Sequence, residues 1–237
     1  MNIGRQNIWA VVPVKSFAGA KQRLSGLLAP KERQTLSRLM LEDVLSALER
    51  TPSLAGIAVV TADRDAAGIA VAAGARVISE RRDTGITAAV TRAAERMDAT
   101  GCDGILVVPA DVPSITPTDV GRVIAAHSSS PAVTLVAASD GGGTNALACS
   151  PPRLIPFAYG EESFRRHWEA ARSRGVTPAV LEIERIGRDI DRPGDVAAFV
   201  VRPSATRAYR YLDALRVADR LRENAPDRVR RPAQSVY

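Results

Sequence analysis

Short apolar runs rich in β-branched residues alternate with stretches of helical period along most of this chain, and no other feature constrains its fold as tightly. Residues 8–14, 57–61, 76–79, 105–108, 133–138, 146–148 and 181–183 read as strands, several with no polar residue to mark a solvent face. Between them, 30–48 places Leu36, Leu39, Met40, Val44, Leu45 and Leu48 at helical spacing, and 65–73, 85–97, 116–126 and 161–174 also read as helices. Pro52 and Gly56 end the first helix and Gly74 the second. Thr116 is placed to cap the fourth, with Pro117 in its first turn, where a missing N–H costs nothing. Strands that follow one another through helices pair in parallel by right-handed crossovers. The expected fold is α/β and Rossmann-like, a mostly parallel sheet with helices on both faces, and ligands of such sheets bind beyond the carboxyl ends of the strands.

Aromatics make up only 4% of the 237 residues, so the core has to be aliphatic. The two cysteines, Cys102 and Cys149, lie far apart with no Cys-x-x-Cys or histidine cluster beside them. This argues against a disulfide scaffold or zinc site and suits a reducing compartment. No stretch approaches the ~18 apolar residues of a membrane span and no apolar signal region follows the N-terminus, so the expected location is the cytoplasm. Charge is uneven: nine arginines against four acids in 201–237 give this tail +5 of the net +6. The nearly neutral remainder speaks against a general nucleic-acid binder. We expect one domain over 1–200 and an arginine-rich helical extension over 201–237. Within the extension, 203–222 reads as one amphipathic helix with Tyr211, Leu212, Leu215, Ala218 and Leu221 on its apolar stripe, suited to docking on the domain or on a second copy in a homodimer. Asp213, Asp219 and Glu223 interrupt its positive face, which disfavours a membrane or nucleic-acid role. The end, 224–237, reads as loose.

Three clusters of charge fall where strands should end. Lys15 follows the first strand directly, with Lys21 and Arg23 in the same loop, where cations and backbone amides can surround phosphates. The loop lacks the glycine patterns of a P-loop or a dinucleotide fold, and its plainer reading is a solvated basic turn. Asp111 follows the apolar run 105–108 within Pro109-Ala110-Asp111-Val112-Pro113; the alternative is a turn or helix-capping aspartate. Asp189 and Asp191 share a face if extended, and either a divalent cation or the neighbouring Arg188 and Arg192 would relieve their repulsion. Three acids and a cationic loop meeting at strand ends are what a nucleoside triphosphate with a divalent metal requires. The glycine-rich loop before Thr144 and Asn145 can present donors to a carboxylate or phosphate, or be an ordinary Asp-Gly hairpin. Gly160 and Ser163 open a helix whose free amides suit an anion, or simply cap it. His127 and His167 lack partners at ligand spacing and read as structural or surface residues, and no Gly-x-Ser-x-Gly elbow supports a serine nucleophile.

Taken in order, Val12-Pro13-Val14-Lys15 with Lys21-x-Arg23-Leu24, Pro109-Ala110-Asp111-Val112-Pro113, Gly143-Thr144-Asn145, Gly160-x-x-Ser163-Phe164-x-x-His167 and Asp189-Ile190-Asp191-x-Pro193 resemble the CofC/FbiD family of guanylyltransferases in coenzyme F420 biosynthesis. The likeness runs over about residues 8–200. It implies a GT-A-type nucleotidyltransferase fold. It implies transfer of GMP from GTP to a small phosphorylated carboxylic acid (2-phospho-L-lactate, phosphoenolpyruvate or 3-phospho-D-glycerate) with release of pyrophosphate. The family's roles would put Mg²⁺ on Asp111, Asp189 and Asp191, and the acceptor on Thr144, Gly160 and Ser163. Lys15, Lys21 and Arg23 would face the GTP phosphates, with Lys21 and Arg23 offsetting charge on the departing pyrophosphate. Gly85 and Thr87 fall on the family's nucleotide segment, but a Gly-Leu-Asn step is replaced by Gly85-Ile86-Thr87, and a hydroxyl cannot reproduce an amide's paired donor and acceptor. Two other readings stand beside this one. The first is another GT-A-like nucleotidyltransferase with a molybdopterin or sugar-phosphate acceptor; the second is a non-enzymatic nucleotide- or nucleic-acid-binding protein that uses the arginine tail.

Overall fold

The computed structural model describes residues 6–127 and 130–223. From edge to edge its sheet runs Arg76–Ser79 (β3), Gly56–Thr61 (β2), Ile8–Val14 (β1), Gly104–Val107 (β4), Thr144–Ser150 (β6), Ala132–Ala137 (β5) and Ala179–Leu181 (β7). All pairings are parallel except those of β6, which runs against both β4 and β5. Helices Pro30–Glu49 (α1), Arg64–Ala72 (α2), Ile86–Asp98 (α3), Pro117–Ala126 (α4) and Ser163–Ser173 (α5) connect the strands. Short helices Glu184–Gly187 (α6) and Pro193–Val200 (α7) follow the last strand, and Arg207–Ala214 (α8) and Val217–Glu223 (α9) close the described chain.

Strand periodicity divides the core in two. Ala10, Val12 and Val14 of β1 face one way and pack with Leu41, Val44, Leu45 and Leu48 of α1; Val11 faces the other way, toward Ala89, Val90, Ala93 and Met97 of α3. Both faces of the sheet are thus covered, as continuous apolar strands require. Burial of each large aliphatic side chain contributes about 1.5–3 kcal/mol.

Three expectations are corrected, the first being the last strand, which lies at 179–181 and not at 181–183, where Ile183 already caps α6. β6 is longer than the apolar triplet 146–148, and all seven of its residues are buried. Its polar ends are tolerated because each finds a partner: Thr144 meets His167 at 3.0 Å, Asn145 donates to the carbonyls of Ile186 and Gly187, and Ser150 meets His127 at 2.9 Å. The tail over 203–222 is two helices, not one. The chain breaks at Arg216, whose φ of 51° lies in the left-handed region that ends a helix. Its apolar side docks on the rest of the chain: Ala208, Leu212 and Val217 join Leu24, Leu27, Leu28, Leu36, Met40, Ile190 and Val196 in a third cluster. Asp43 of α1 accepts from the backbone N–H groups of Arg207 and Ala208, both at 2.9 Å, and satisfies the start of α8. The segment 224–237 lies outside the described residues. Among the described residues no helix is long and apolar enough to cross a membrane.

Candidate active site

The loop 15–29 leaves the carboxyl end of β1 and is anchored along its length. At its start, Ser16 Oγ and the Phe17 N–H donate to one oxygen of Asp63, each at 3.0 Å, while the other oxygen caps α2 through the amides of Asp65 and Ala66. In its middle and at its end, the buried Arg33 of α1 donates to the carbonyls of Ala20 (3.3 Å) and Leu28 (2.8 Å). From outside, Arg220 of α9 reaches the Leu27 carbonyl at 3.4 Å and grips both oxygens of Glu32 at 2.8 and 2.9 Å. Buried Leu24, Leu27 and Leu28 nail the loop to the third cluster. Lys21 sits at φ 53°, a conformation that costs a side-chain-bearing residue about 1 kcal/mol or more and persists only where its surroundings fix it.

That fixed lysine meets the acids. Lys21 Nζ lies 2.6 Å from Asp111 and 3.7 Å from Asp191, and Arg23 pairs with the second oxygen of Asp191. Asp111 and the acid pair are tied together by the Ile190 N–H, which donates to the Asp111 carbonyl at 2.9 Å. Ile190 itself is buried in the third cluster, so its half-buried flanking acids point away from that cluster. Asp189 accepts from Asn145 Nδ2 at 3.0 Å. Burial, then the nearby Asp111 charge, holds Asp189 above the ordinary carboxylate range. Burial pulls Lys21 down, but Asp111 and then Asp191 and Asp189 overcome it and keep the ammonium above the ordinary lysine value. Repulsion between Asp189 and Asp191 is thus relieved by cations from a loop some 170 residues away in sequence, not by their neighbours: Arg188 pairs with Glu184.

Among the described residues no three His, Cys, Asp or Glu side chains stand close enough together to hold a metal. Asp111, Asp189 and Asp191 have the right donor chemistry for a hard divalent cation, and the charge amid them, as they stand, is the ammonium of Lys21. Their oxygens suit Mg²⁺ in kind, but as they stand the three acids do not converge on one point and Lys21 occupies the space beside Asp111 and Asp191.

A cavity of about 680 Å³ opens here, lined by Lys15, Lys21, Arg23, Asp111, Asp191 and Gly85 among others. Gly85 caps α3 at φ 87°, a backbone conformation that strains any side-chain-bearing residue. Five expected site residues, Thr87, Thr144, Gly160, Ser163 and Asp189, do not line this cavity. Thr87 accepts from the Tyr159 N–H at 3.1 Å. Thr144 and Ser163 are buried, and Ser163 donates to Thr144 at 3.3 Å. Beside Thr144 stands His167. Its Nε2 accepts from the Ala158 N–H at 2.9 Å, so its proton is on Nδ1 and is donated to Thr144 Oγ1. Gly160 lies in the same turn at φ 111° and is exposed. Asp189 lines a second, smaller cavity with Ser114 and Ser139. The sequence reading misses Asp63 and Arg33 as organisers and gives Asn145 to a ligand, whereas its amide holds the carboxylate of Asp189; Asp63 carries a signal, standing after a strand as a helix N-cap.

A clamped cationic loop at the carboxyl ends of parallel strands, paired with Asp111 and Asp191 at a nucleotide-sized cleft, defines an α/β nucleotidyltransferase. In keeping with that, a solved nucleotidyl transferase from Methanothermobacter thermautotrophicus has the same fold, with a TM-score of 0.56 over 92% of this chain and 98% of that one, at 21% identity. The family model for CofC-like guanylyl transferases matches residues 8–232, and the chain belongs to that family. It is 39% identical to a phosphoenolpyruvate guanylyltransferase of Roseiflexus castenholzii, over 86% of this chain and 93% of that protein. It is 31% identical to a 2-phospho-L-lactate guanylyltransferase of Methanothermobacter thermautotrophicus, over 87% and 90% respectively. The match extends through the C-terminal helices, beyond the reach of the motifs in the sequence.

Proposed function

We propose that this chain transfers GMP from GTP to a small phosphorylated carboxylic acid, with release of pyrophosphate, as a step toward coenzyme F420. The observation that carries the reading is the pairing of Lys21 and Arg23 with Asp111 and Asp191 at one end of a cavity large enough for a nucleotide. A phosphate oxygen of the acceptor forms a bond to the α-phosphorus of GTP while the bond to the bridging oxygen breaks and pyrophosphate departs with that electron pair. The attacking oxygen is already ionised, so no protein nucleophile or base is needed, and orientation with charge neutralisation dominates. Lys15, Lys21 and Arg23 bind the triphosphate, and Lys21 and Arg23 offset the charge that grows on the leaving group. Asp111, Asp189 and Asp191 would hold Mg²⁺, which draws mutually repelling phosphate oxygens together. Thr144, Gly160 and Ser163 shape the acceptor side around the turn that His167 fixes, with the exposed Gly160 backbone as the contact to the anion, since the Ser163 and Phe164 N–H groups already donate to the Gly160 and Gly142 carbonyls. Incubation with GTP, Mg²⁺ and, in turn, 2-phospho-L-lactate, phosphoenolpyruvate and 3-phospho-D-glycerate tests this by pyrophosphate release and product mass. A guanylylated product from one of them is expected; none from all three overturns the reading.

A further inference from the structure

We propose that Asp83 reads the guanine base, its carboxylate accepting from the ring N1–H and the 2-amino group. The inference rests on the guanylyl-transfer reading above. The cavity reaches from Asp111, beyond β4, past the loop after β1, to Glu80, Asp83 and Gly85 between β3 and α3. In the sheet β3 stands two places to one side of β1 and β4 one place to the other. At about 4.8 Å per strand the two ends are about 14 Å apart.

The cations lining the cavity are Lys15, Lys21 and Arg23, all on the loop after β1, so the triphosphate belongs there. Of the described residues that line the cavity, the β3 end contributes Glu80 and Asp83 and no cation, although Arg81 and Arg82 stand in the same loop. The triphosphate is better served by the loop after β1, and this end suits a ring with N–H donors. Glu80 is committed: its side chain is only 4% exposed, paired with Arg92 and accepting from Thr84 Oγ1 at 3.1 Å. Asp83 is exposed, and its Oδ1 accepts the Gly85 N–H at 2.9 Å, which fixes the carboxylate beside the start of α3. Ile86 and Ala89, one helical turn on, supply apolar surface for a ring face.

Among the common bases, guanine alone sets two N–H donors side by side on this edge. Adenine and cytosine place a ring acceptor there, and uracil flanks its single ring N–H with carbonyls. A carboxylate is the acceptor that distinguishes them, and a polar site rejects an analogue lacking its partner.

The test compares GTP, inosine triphosphate, which lacks the 2-amino group, and xanthosine triphosphate, which has a carbonyl there. It uses wild type and Asp83→Asn, with pyrophosphate release and calorimetric nucleotide affinity as readouts. Wild type should prefer GTP over the inosine analogue tenfold or more. Asp83→Asn should lose about tenfold to a hundredfold toward GTP and gain toward xanthosine triphosphate, whose carbonyl accepts from the new amide. Asparagine keeps the oxygen that holds the Gly85 N–H, so a merely structural role would not change base preference. Equal use of GTP and the inosine analogue by wild type, or an unaltered preference in Asp83→Asn, overturns the inference. Absence of turnover with every acceptor counts against the guanylyl-transfer reading instead, and the affinities still decide the role of Asp83.

Discussion

Acidification from pH 7 to 5 should strip several kcal/mol of stability from this protein through two imidazoles. His127 and His167 are its two histidines, and both are buried, at 5% and 0% exposure. Burial pushes His127 down from 6.5 to about 4; burial, then the charge of Arg166, does the same for His167. The folded state therefore keeps both rings neutral where the unfolded chain protonates them. Stability is complete above the unfolded value of 6.5 and is lost as pH falls toward about 4. Between pH 7 and 5 each ring costs about 2 kcal/mol, and the pair about 4 kcal/mol, out of the 5–15 kcal/mol typical of a domain. Asp43 and Asp189, held above the ordinary carboxylate value chiefly by burial, take up protons first in the folded state and return part of this loss as the carboxylate range is approached. Urea unfolding at pH 7, 6 and 5, with NMR titration of the two imidazole resonances, is the measurement. A ring that titrates near 6.5 in the folded protein, or equal unfolding free energies at pH 7 and 5, would refute the argument.

Asp191→Asn should cut turnover more than tenfold, since about 1.4 kcal/mol of lost transition-state stabilisation suffices; near-normal rates at saturating Mg²⁺ would remove Asp191 from the site. Arg33→Met leaves the Ala20 and Leu28 carbonyls without their donor, so KM for GTP should rise several-fold with a smaller change in kcat. An unchanged KM at a temperature where the variant is folded would contradict this. Thr144→Val removes the oxygen that receives His167 and Ser163; the expected cost is about 1–3 kcal/mol by denaturation, with acceptor affinity weakened more than GTP affinity. Equal losses for both substrates would count against the acceptor assignment. Truncation after residue 202 uncovers the third cluster and should lower stability by at least about 3 kcal/mol, the burial lost at Leu212 and Val217 alone. An unchanged melting temperature would show the docking to be dispensable.

Much of the fold was legible because local patterning decides it. β1 and β3 fall on their expected residues, since an apolar run between loops leaves little choice of boundary. β6 was read short because Thr144, Asn145 and Ser150 look like loop residues until their distant partners are in place. α7 was invisible, an eight-residue helix opening on Pro193 and Gly194. The charged residues of the site were visible as types, but not their pairing: nothing local couples Lys21 to Asp111, ninety residues on. Arg33 could not be found at all, since a buried arginine inside an amphipathic helix reads as one more polar position.

The third apolar cluster has a consequence for biosynthesis. It joins Leu24 and Leu28, beneath the nucleotide loop, to Leu212 and Val217, near the far end of the described chain. Contacts of such long sequence separation form late, because the chain between them must first be ordered. While the ribosome is still adding α8 and α9, the sheet around β1 to β4 can assemble, yet the loop that carries Lys21 lacks its cover and its outer arginine. A nascent chain arrested before residue 207 would expose Leu27, Leu28 and Met40 to water and to chaperones. Competence for nucleotide would then arrive only once α9 has emerged and Arg220 has closed on Glu32.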